Sequence, residues 1–344
     1  MDILLGKTLT ELQAIAEQCG LPKYTGKQLA NWLYVRRVSS IDEMTDISLK
    51  GREALKAHYQ TGRHSPEKEA VSKDGTKKYL FQVAANYIES VFIPEEDRAT
   101  LCVSTQAGCK MKCKFCMTGT LGFQGQLSAA DILNQVFSIP ESAQLTNIVL
   151  MGEGEPMDNL DNVLRFLDIM TADYGPAWSP KRITVSSVGL LPGLKRYLDE
   201  SDCHLAISLH NPFHVEREQI MPAERAYAIN KVIELLKKYD FSHQRRVSFE
   251  YICWGGINDT PKHANELIRL LKGLECRINL IRYHDGGQAD FPASDEQQMQ
   301  WLATYLTEKG VTTTIRKSRG EDILAACGML VNSLTAAKEP INRL

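Results

Sequence analysis

The first 60 or so residues carry apolar positions at helical spacing. Leu9, Leu12, Ile15 and Ala16 line one face before Gly20 interrupts it. Gln28 to Val35 forms a second such stretch, with Leu29, Trp32 and Leu33 on its apolar side, and Ser48 to Tyr59 a third. From about Ala70 the period changes to two. Lys78–Val83 and Tyr87–Ile93 alternate and are rich in aromatic and β-branched residues, so they predict a hairpin after the Asp74-Gly75 turn.

A longer alternation follows. Short apolar strands are predicted at Leu101–Ser104, Asn147–Met151, Arg182–Val185, His204–Ser208, Val247–Ile252, Arg277–Ile281 and Val311–Ile315. Helices are predicted between them at Ala129–Phe137, Leu160–Met170, Leu191–Leu198, Ile229–Tyr239, Lys262–Leu271 and Glu296–Glu308. Strand-then-helix repetition of this length predicts an α/β protein with a parallel sheet closed or nearly closed into a barrel. The organisation expected is a small all-α unit (1–65), a β extension (66–95), the barrel (96–330) and a C-terminal tail (331–344).

In such barrels chemistry gathers at the C-terminal ends of the strands. After the first barrel strand come Cys109, Cys113 and Cys116, three cysteines within eight residues. Soft thiolates at this density suit zinc or an iron–sulfur centre. A structural zinc asks for four ligands, and no fourth Cys or His follows nearby. Three ligands therefore predict a [4Fe–4S] cluster with one iron open to substrate. Gly152–Pro156 follows the second strand, Ser186–Gly189 the third and Ser208–His210 the fourth. Singly, each reads as an ordinary turn or a structural histidine.

Composition narrows the class. The 344 residues are 43% hydrophobic and 24% charged, with a net charge of −2, as in an ordinary globular protein. No global charge attracts nucleic acid, so any such case is local. Lys23, Lys27, Arg36 and Arg37 beside Tyr24 and Tyr34 read as a solvated surface or as a docking patch. The same two readings apply to Lys110, Lys112 and Lys114, to Arg245-Arg246, and to Arg316, Lys317 and Arg319. No apolar run has membrane-spanning length and no leader pattern opens the chain, so a cytoplasmic protein is expected. The nine cysteines then argue for metal or reactive thiols rather than a disulfide framework. By spacing alone, Cys102 and Cys327 read as inert core cysteines.

A C-x₃-C-x₂-C loop after a first barrel strand, with Phe115 before the last cysteine, resembles the radical S-adenosylmethionine (SAM) superfamily. Arg98–Ser104, Gly108–Gly119, Gly154-Glu155-Pro156, Ser208-Leu209-His210 and Arg319–Gly328 together resemble the RlmN/Cfr family of RNA methyltransferases, over nearly the whole chain. The resemblance implies a partial (β/α)6-type barrel. It makes Cys109, Cys113 and Cys116 the cluster ligands, and Gly154, Glu155, Ser186, Ser208, Leu209, His210 and His284 the SAM contacts. Cys327 would carry the methyl group, Cys102 would resolve the adduct, and Glu89 would accept a proton. The implied cofactors are one [4Fe–4S] cluster and SAM. The implied partners are 23S rRNA (adenosine-2503), tRNA (adenosine-37) and an electron donor such as flavodoxin or ferredoxin, with the enzyme a monomer.

Two departures stand out. Arg282-Tyr283-His284 replaces the family's usual Pro-aromatic-Asn, and Glu153 stands where Met is common. Carbon 2 of adenine is electron-poor and cannot attack the methyl of SAM, which is why the implied route uses a carbon radical. The alternatives are Cfr-type methylation at carbon 8, a radical SAM enzyme acting on a peptide or small molecule, and a zinc module for nucleic acid.

Overall fold

The computed structural model describes residues 1–242, 245–284 and 291–330. The expected tail, 331–344, lies outside the described residues. Among the described residues a ten-stranded sheet organises the fold: β1 Lys68–Val71, β2 Lys77–Val83, β3 Asn86–Pro94, β4 Ala99–Cys102, β5 Asn147–Leu150, β6 Ile183–Ser187, β7 His204–Ser208, β8 Val247–Cys253, β9 Arg277–Arg282 and β10 Thr312–Ile315. Its strands lie side by side in chain order. The seven from β4 to β10 run parallel, while β1 to β4 pair antiparallel. No ladder among the described residues joins β10 to β4, so the barrel is partial.

Among the described residues six strand–helix units precede β10. Their helices are Ala129–Ser138, Leu160–Thr171, Leu191–Glu200, Ile229–Leu236, Pro261–Leu271 and Glu296–Glu308. Local sequence starts them. Ser128 and Asp131 form a capping box, Asp295 accepts the Gln298 N–H, and Pro261 takes the first turn, where its missing N–H costs nothing. Strand positions such as Ile148, Val185, Leu205, Phe249 and Ile278 are fully buried.

The helical unit at the N-terminus shares one continuous core with the barrel. Arg165 pairs with Glu11 at 2.6 Å, and the Tyr34 ring lies 6.5 Å from Phe137. Its second helical run begins at Thr25, three residues earlier than the apolar pattern places it, and widens into a π-type turn over Asn31–Val35. Gly26 lies where this run crosses the first helix: a Cβ there would lie 2.7 Å from the Gln13 Cα, so glycine lets the two helices approach closely. The third helix, Leu49–Lys56, stops short because Tyr59–Gln60 pairs in parallel with Asp2–Ile3. The strand β1 escapes the pattern because Lys68-Glu69-Ala70-Val71 is an exposed edge with no apolar face.

Candidate functional site

A cavity of ≈ 900 Å³ opens at the C-terminal ends of β4 to β9. After β4 the chain makes a short hairpin, Gln106–Gly108 against Phe123–Gln126, and the loop between them carries the cysteines. Gly108 has φ 68°, and a Cβ there would fall 1.8 Å from the Gly122 carbonyl oxygen, so only glycine closes this hairpin. Cys109, Cys113 and Cys116 all line the cavity, whereas Lys110, Lys112 and Lys114 face outward and are exposed. Lys110 pairs with Asp158 at 2.8 Å and lies over the Phe123 ring at 4.3 Å.

Burial pushes the Cys109 thiol up to about 12, and raises Cys113 and Cys116 as well. Such thiols ionise only with a cation to compensate them. Among the described residues no three His, Cys, Asp or Glu side chains converge as they would on a single ion. Three soft sulfurs set around one cavity wall fit a four-iron cluster with one iron left open.

The facing wall supplies short polar groups. Gly154 has φ 97°, and its missing side chain makes room for Gln106, whose Cβ would stand 2.5 Å from a Cβ there. Glu155 is buried. Its carboxylate accepts the N–H groups of Met157 (3.1 Å) and Val188 (2.9 Å), and burial raises it to about 7. Ser186, Ser208 and His210 complete the wall. His210 adopts φ 55° and accepts the Ile252 N–H at Nδ1 (3.1 Å), which puts the proton of the neutral ring on Nε2. Burial holds its pKa down to about 3, so it stays neutral.

Two expected contacts stand elsewhere. Leu209 turns its side chain into the core, and its backbone is spent on Glu250 and Arg217. His284 bonds Ser318 at 2.6 Å and lies on a second cavity. One residue was not foreseen. Arg217 is fully buried, and its guanidinium donates to the carbonyls of Val188 (3.1 Å), Ser208 (2.7 Å) and Leu209 (2.9 Å) while pairing with Glu224. It thus fixes the ends of β6 and β7. Its helix, His214–Ile220, also touches the cysteine loop, where Lys114 N–H meets the Ile220 carbonyl at 2.9 Å.

The segment 316–330 crosses the cavity mouth as a strap bearing Cys327, which is exposed. Asp322 anchors it to Ser72 (2.5 Å) and to the Lys73 N–H (3.2 Å), and Asp74 accepts the Gly320 N–H (3.0 Å). At its far end Gly328 and Leu330 carbonyls take Met117 N–H (2.8 Å) and the Thr118 hydroxyl (2.9 Å). Beneath it lies Cys102, packed with Val91, Val149, Ala325 and Leu330. Burial, and then the neighbouring Cys327, push Cys102 up to about 12. The fold thus brings the two distant cysteines together. Glu89 is buried off the cavity wall, on the β3 face that opposes Cys102 through Val91, and pairs with Lys78 at 3.0 Å.

The second cavity, ≈ 1890 Å³, runs along the barrel interior and meets the first at Met151, Glu250, Ile281, Arg316 and Cys327. Arg98, Lys181, Arg246, Arg277, Lys317 and Arg319 line it, against Glu95 and Glu250. The anticipated basic groups divide. Arg246, Arg316, Lys317 and Arg319 face this cavity, whereas Arg245 is buried and donates to the Leu198 carbonyl (2.9 Å). Arg37 likewise leaves the N-terminal patch to bond the Ser142 carbonyl (3.2 Å).

Residues 103–271 match the profile of the radical SAM superfamily, and residues 3–60 that of the ribosomal RNA large subunit methyltransferase N-terminal domain. The chain is 58% identical to a probable dual-specificity RNA methyltransferase RlmN of Phocaeicola vulgatus, over 95% of this chain and 94% of the relative. It is 40% identical to the dual-specificity RNA methyltransferase RlmN of Geobacter sulfurreducens, over 98% and 95%. The crystal structure of a radical SAM methyltransferase from Sphaerobacter thermophilus superposes with a TM-score of 0.90 at 36% identity, covering 96% of this chain and 99% of that one. With these matches running almost end to end across the cysteine loop, the strap and the helical unit, the chain belongs to the RlmN family of radical SAM RNA methyltransferases.

Proposed function

We propose that the protein methylates carbon 2 of an adenosine in RNA, adenosine-2503 of 23S rRNA and adenosine-37 of tRNA, through a methyl-cysteine and a covalent protein–RNA adduct. One observation carries the reading: Cys327 stands where the cysteine-lined cavity meets the basic one, with Cys102 packed beneath its strap. Two separate cavities sharing one exposed thiol suit an enzyme that receives a cofactor from one side and a polyanion from the other.

Cys109, Cys113 and Cys116 would hold the cluster, and Gly154, Glu155, Ser186, Ser208 and His210 would line the SAM pocket. Together the bound cofactors supply a methyl donor and a hydrogen-abstracting 5′-deoxyadenosyl radical. The protein's own residues do the rest. Cys327 carries the methyl as a thioether, which gives up one hydrogen atom so that its carbon can join the adenine. Glu89 takes the proton from the ring carbon, the adduct's odd electron would pass to the cluster, and Lys78 balances the buried charge of Glu89. Cys102 then attacks the Cys327 sulfur as its thiolate, a disulfide is left, and the freed methylene takes up a proton to become the methyl group. The target base leaves its stack to enter. Lys110, Lys112 and Lys114 would face an acidic one-electron carrier, flavodoxin or ferredoxin, which would supply the electron that the cluster needs. The enzyme works as a cytoplasmic monomer, and no helix among the described residues is long and apolar enough to cross a membrane.

The test is Cys102→Ala in reconstituted enzyme with RNA. The variant is expected to form the adduct and stall, giving an RNA-linked band on a denaturing gel. Normal turnover without that band overturns the assignment of Cys102. Mass spectrometry of the nucleosides separates 2-methyladenosine from the 8-methyl product that a Cfr-type enzyme would give.

A further inference from the structure

We propose that Glu153 is a positioning residue whose carboxylate ties the loop holding Cys109 to the strand carrying Glu89. The Glu89 half of this inference rests on the role proposed above for that residue.

Glu153 lies in the bend that follows β5 and is 1% exposed. A carboxylate this deep is costly unless its lone pairs are filled. Its backbone is fixed first: the N–H donates to Ser104 Oγ (2.9 Å), and the carbonyl accepts the N–H groups of Thr105 (2.8 Å) and Gln106 (3.2 Å). The side chain so aimed accepts the Glu89 N–H at Oε1 (2.8 Å) and the Gly108 N–H at Oε2 (3.2 Å). Gly108 immediately precedes Cys109.

The reason for a carboxylate lies in the sheet. The β3–β4 ladder ends with Val91 opposite Cys102. One step further, the Ser104 amide no longer faces β3: its N–H donates to Gln135 Oε1 (2.8 Å), and its carbonyl accepts Gln135 Nε2 (3.0 Å). The Glu89 N–H thereby loses its ladder acceptor, although its carbonyl still takes the Ser104 hydroxyl (2.6 Å). Glu153 replaces the missing acceptor with one oxygen and caps the cysteine hairpin with the other. An amide offers only one acceptor and turns an NH₂ towards the second N–H. Methionine offers no acceptor of comparable strength.

The test uses full-length, iron-reconstituted Glu153→Gln and Glu153→Met, with Glu89→Gln beside them. Glu153→Gln is expected to keep its iron and its Tm. It shifts the EPR signal of the reduced, SAM-bound cluster and slows methylation about tenfold, the scale of one buried charge-assisted hydrogen bond. RNA-linked protein accumulates in single turnover. Loss of iron at unchanged Tm is the same result in stronger form. A parental EPR signal with parental adduct levels overturns the proposal. Should Glu153→Met not fold, Glu153→Gln decides alone. Glu89→Gln is expected to accumulate adduct with a parental EPR signal. If it does not, the reading of Glu89 fails, while the EPR arm still judges the tie between Glu153 and the cysteine loop.

Discussion

The Lys78 ammonium stands 3.0 Å from the Glu89 carboxylate, with both side chains buried, and the same nitrogen reaches the Leu324 carbonyl at 3.4 Å. One cation therefore joins the proposed base to the strap three residues before Cys327. Lys78→Met removes the ammonium from beside the buried Glu89 carboxylate, which costs about 3–5 kcal/mol. Urea unfolding of the cluster-free protein measures this. Glu89→Gln in the same background is expected to recover much of the loss, because the charge that Lys78 balanced is gone. Additive losses would mean that the two residues do not act as a pair.

Arg217 offers a sharper case, since its guanidinium holds three carbonyls at the ends of β6 and β7 and its charge is matched by Glu224. Lysine cannot span these acceptors with a single ammonium. Arg217→Lys is expected to cost about 2–4 kcal/mol of stability. It is also expected to weaken SAM binding about tenfold by calorimetry, because the strand ends bearing Ser186 and Ser208 relax. Unchanged SAM affinity in a folded variant would separate Arg217 from the pocket.

His210 supplies a pH signature. Its folded pKa lies near 3 and its unfolded value near 6.5, so the native state binds fewer protons than the unfolded chain between those limits. Its contribution to stability is present above about 6.5 and falls away as pH drops towards 3. Between pH 7 and pH 5 this amounts to about 2 kcal/mol. Denaturation of cluster-free protein should show that loss in the parent and a smaller one in His210→Gln. Equal losses would place the acid sensitivity elsewhere, with His204, also depressed by burial, the first alternative.

What could be read from the chain follows from how local each signal is. The gathering of Cys109, Cys113 and Cys116 on one cavity wall was legible because they are neighbours in the chain, and the strand–helix alternation because each element carries its own apolar face. Their ends move by a residue or two: β4 ends at Cys102 rather than Ser104 because Gln135 captures the Ser104 amide. Arg217 was not legible. A lone arginine in Val215-Glu216-Arg217-Glu218 reads as a solvated helix charge, and only the tertiary fold buries it. Leu209 matched a motif, yet strand alternation turns its side chain inward. The hairpin Gln106–Gly108 with Phe123–Gln126 and the helices Met117–Leu121 and His214–Ile220 are too short to carry a period. Cys102 and Cys327 were matched through motifs, but their meeting depends on Asp322, Asp74 and Thr118 pinning the strap.

Those pins make the strap's closure measurable. Asp322 holds one end through Ser72 and the Lys73 N–H, and Thr118 holds the other through the Leu330 carbonyl. Between them Ala325 and Leu330 cover Cys102, whose thiol is buried and resists ionisation. Alkylation of Cys102 therefore requires the strap to lift, a local opening rather than global unfolding. Asp322→Ala releases one end and is expected to speed iodoacetamide labelling of Cys102 about tenfold at unchanged Tm, as read by peptide mass spectrometry. Thr118→Val in addition should speed it further. Cys203, buried in the core away from the strap, serves as the internal control. If Cys102 and Cys203 accelerate together, the variants have loosened the whole barrel. If neither changes, the strap is held by its apolar contacts alone, and the Asp322 anchor does not govern access to the Cys102 thiol.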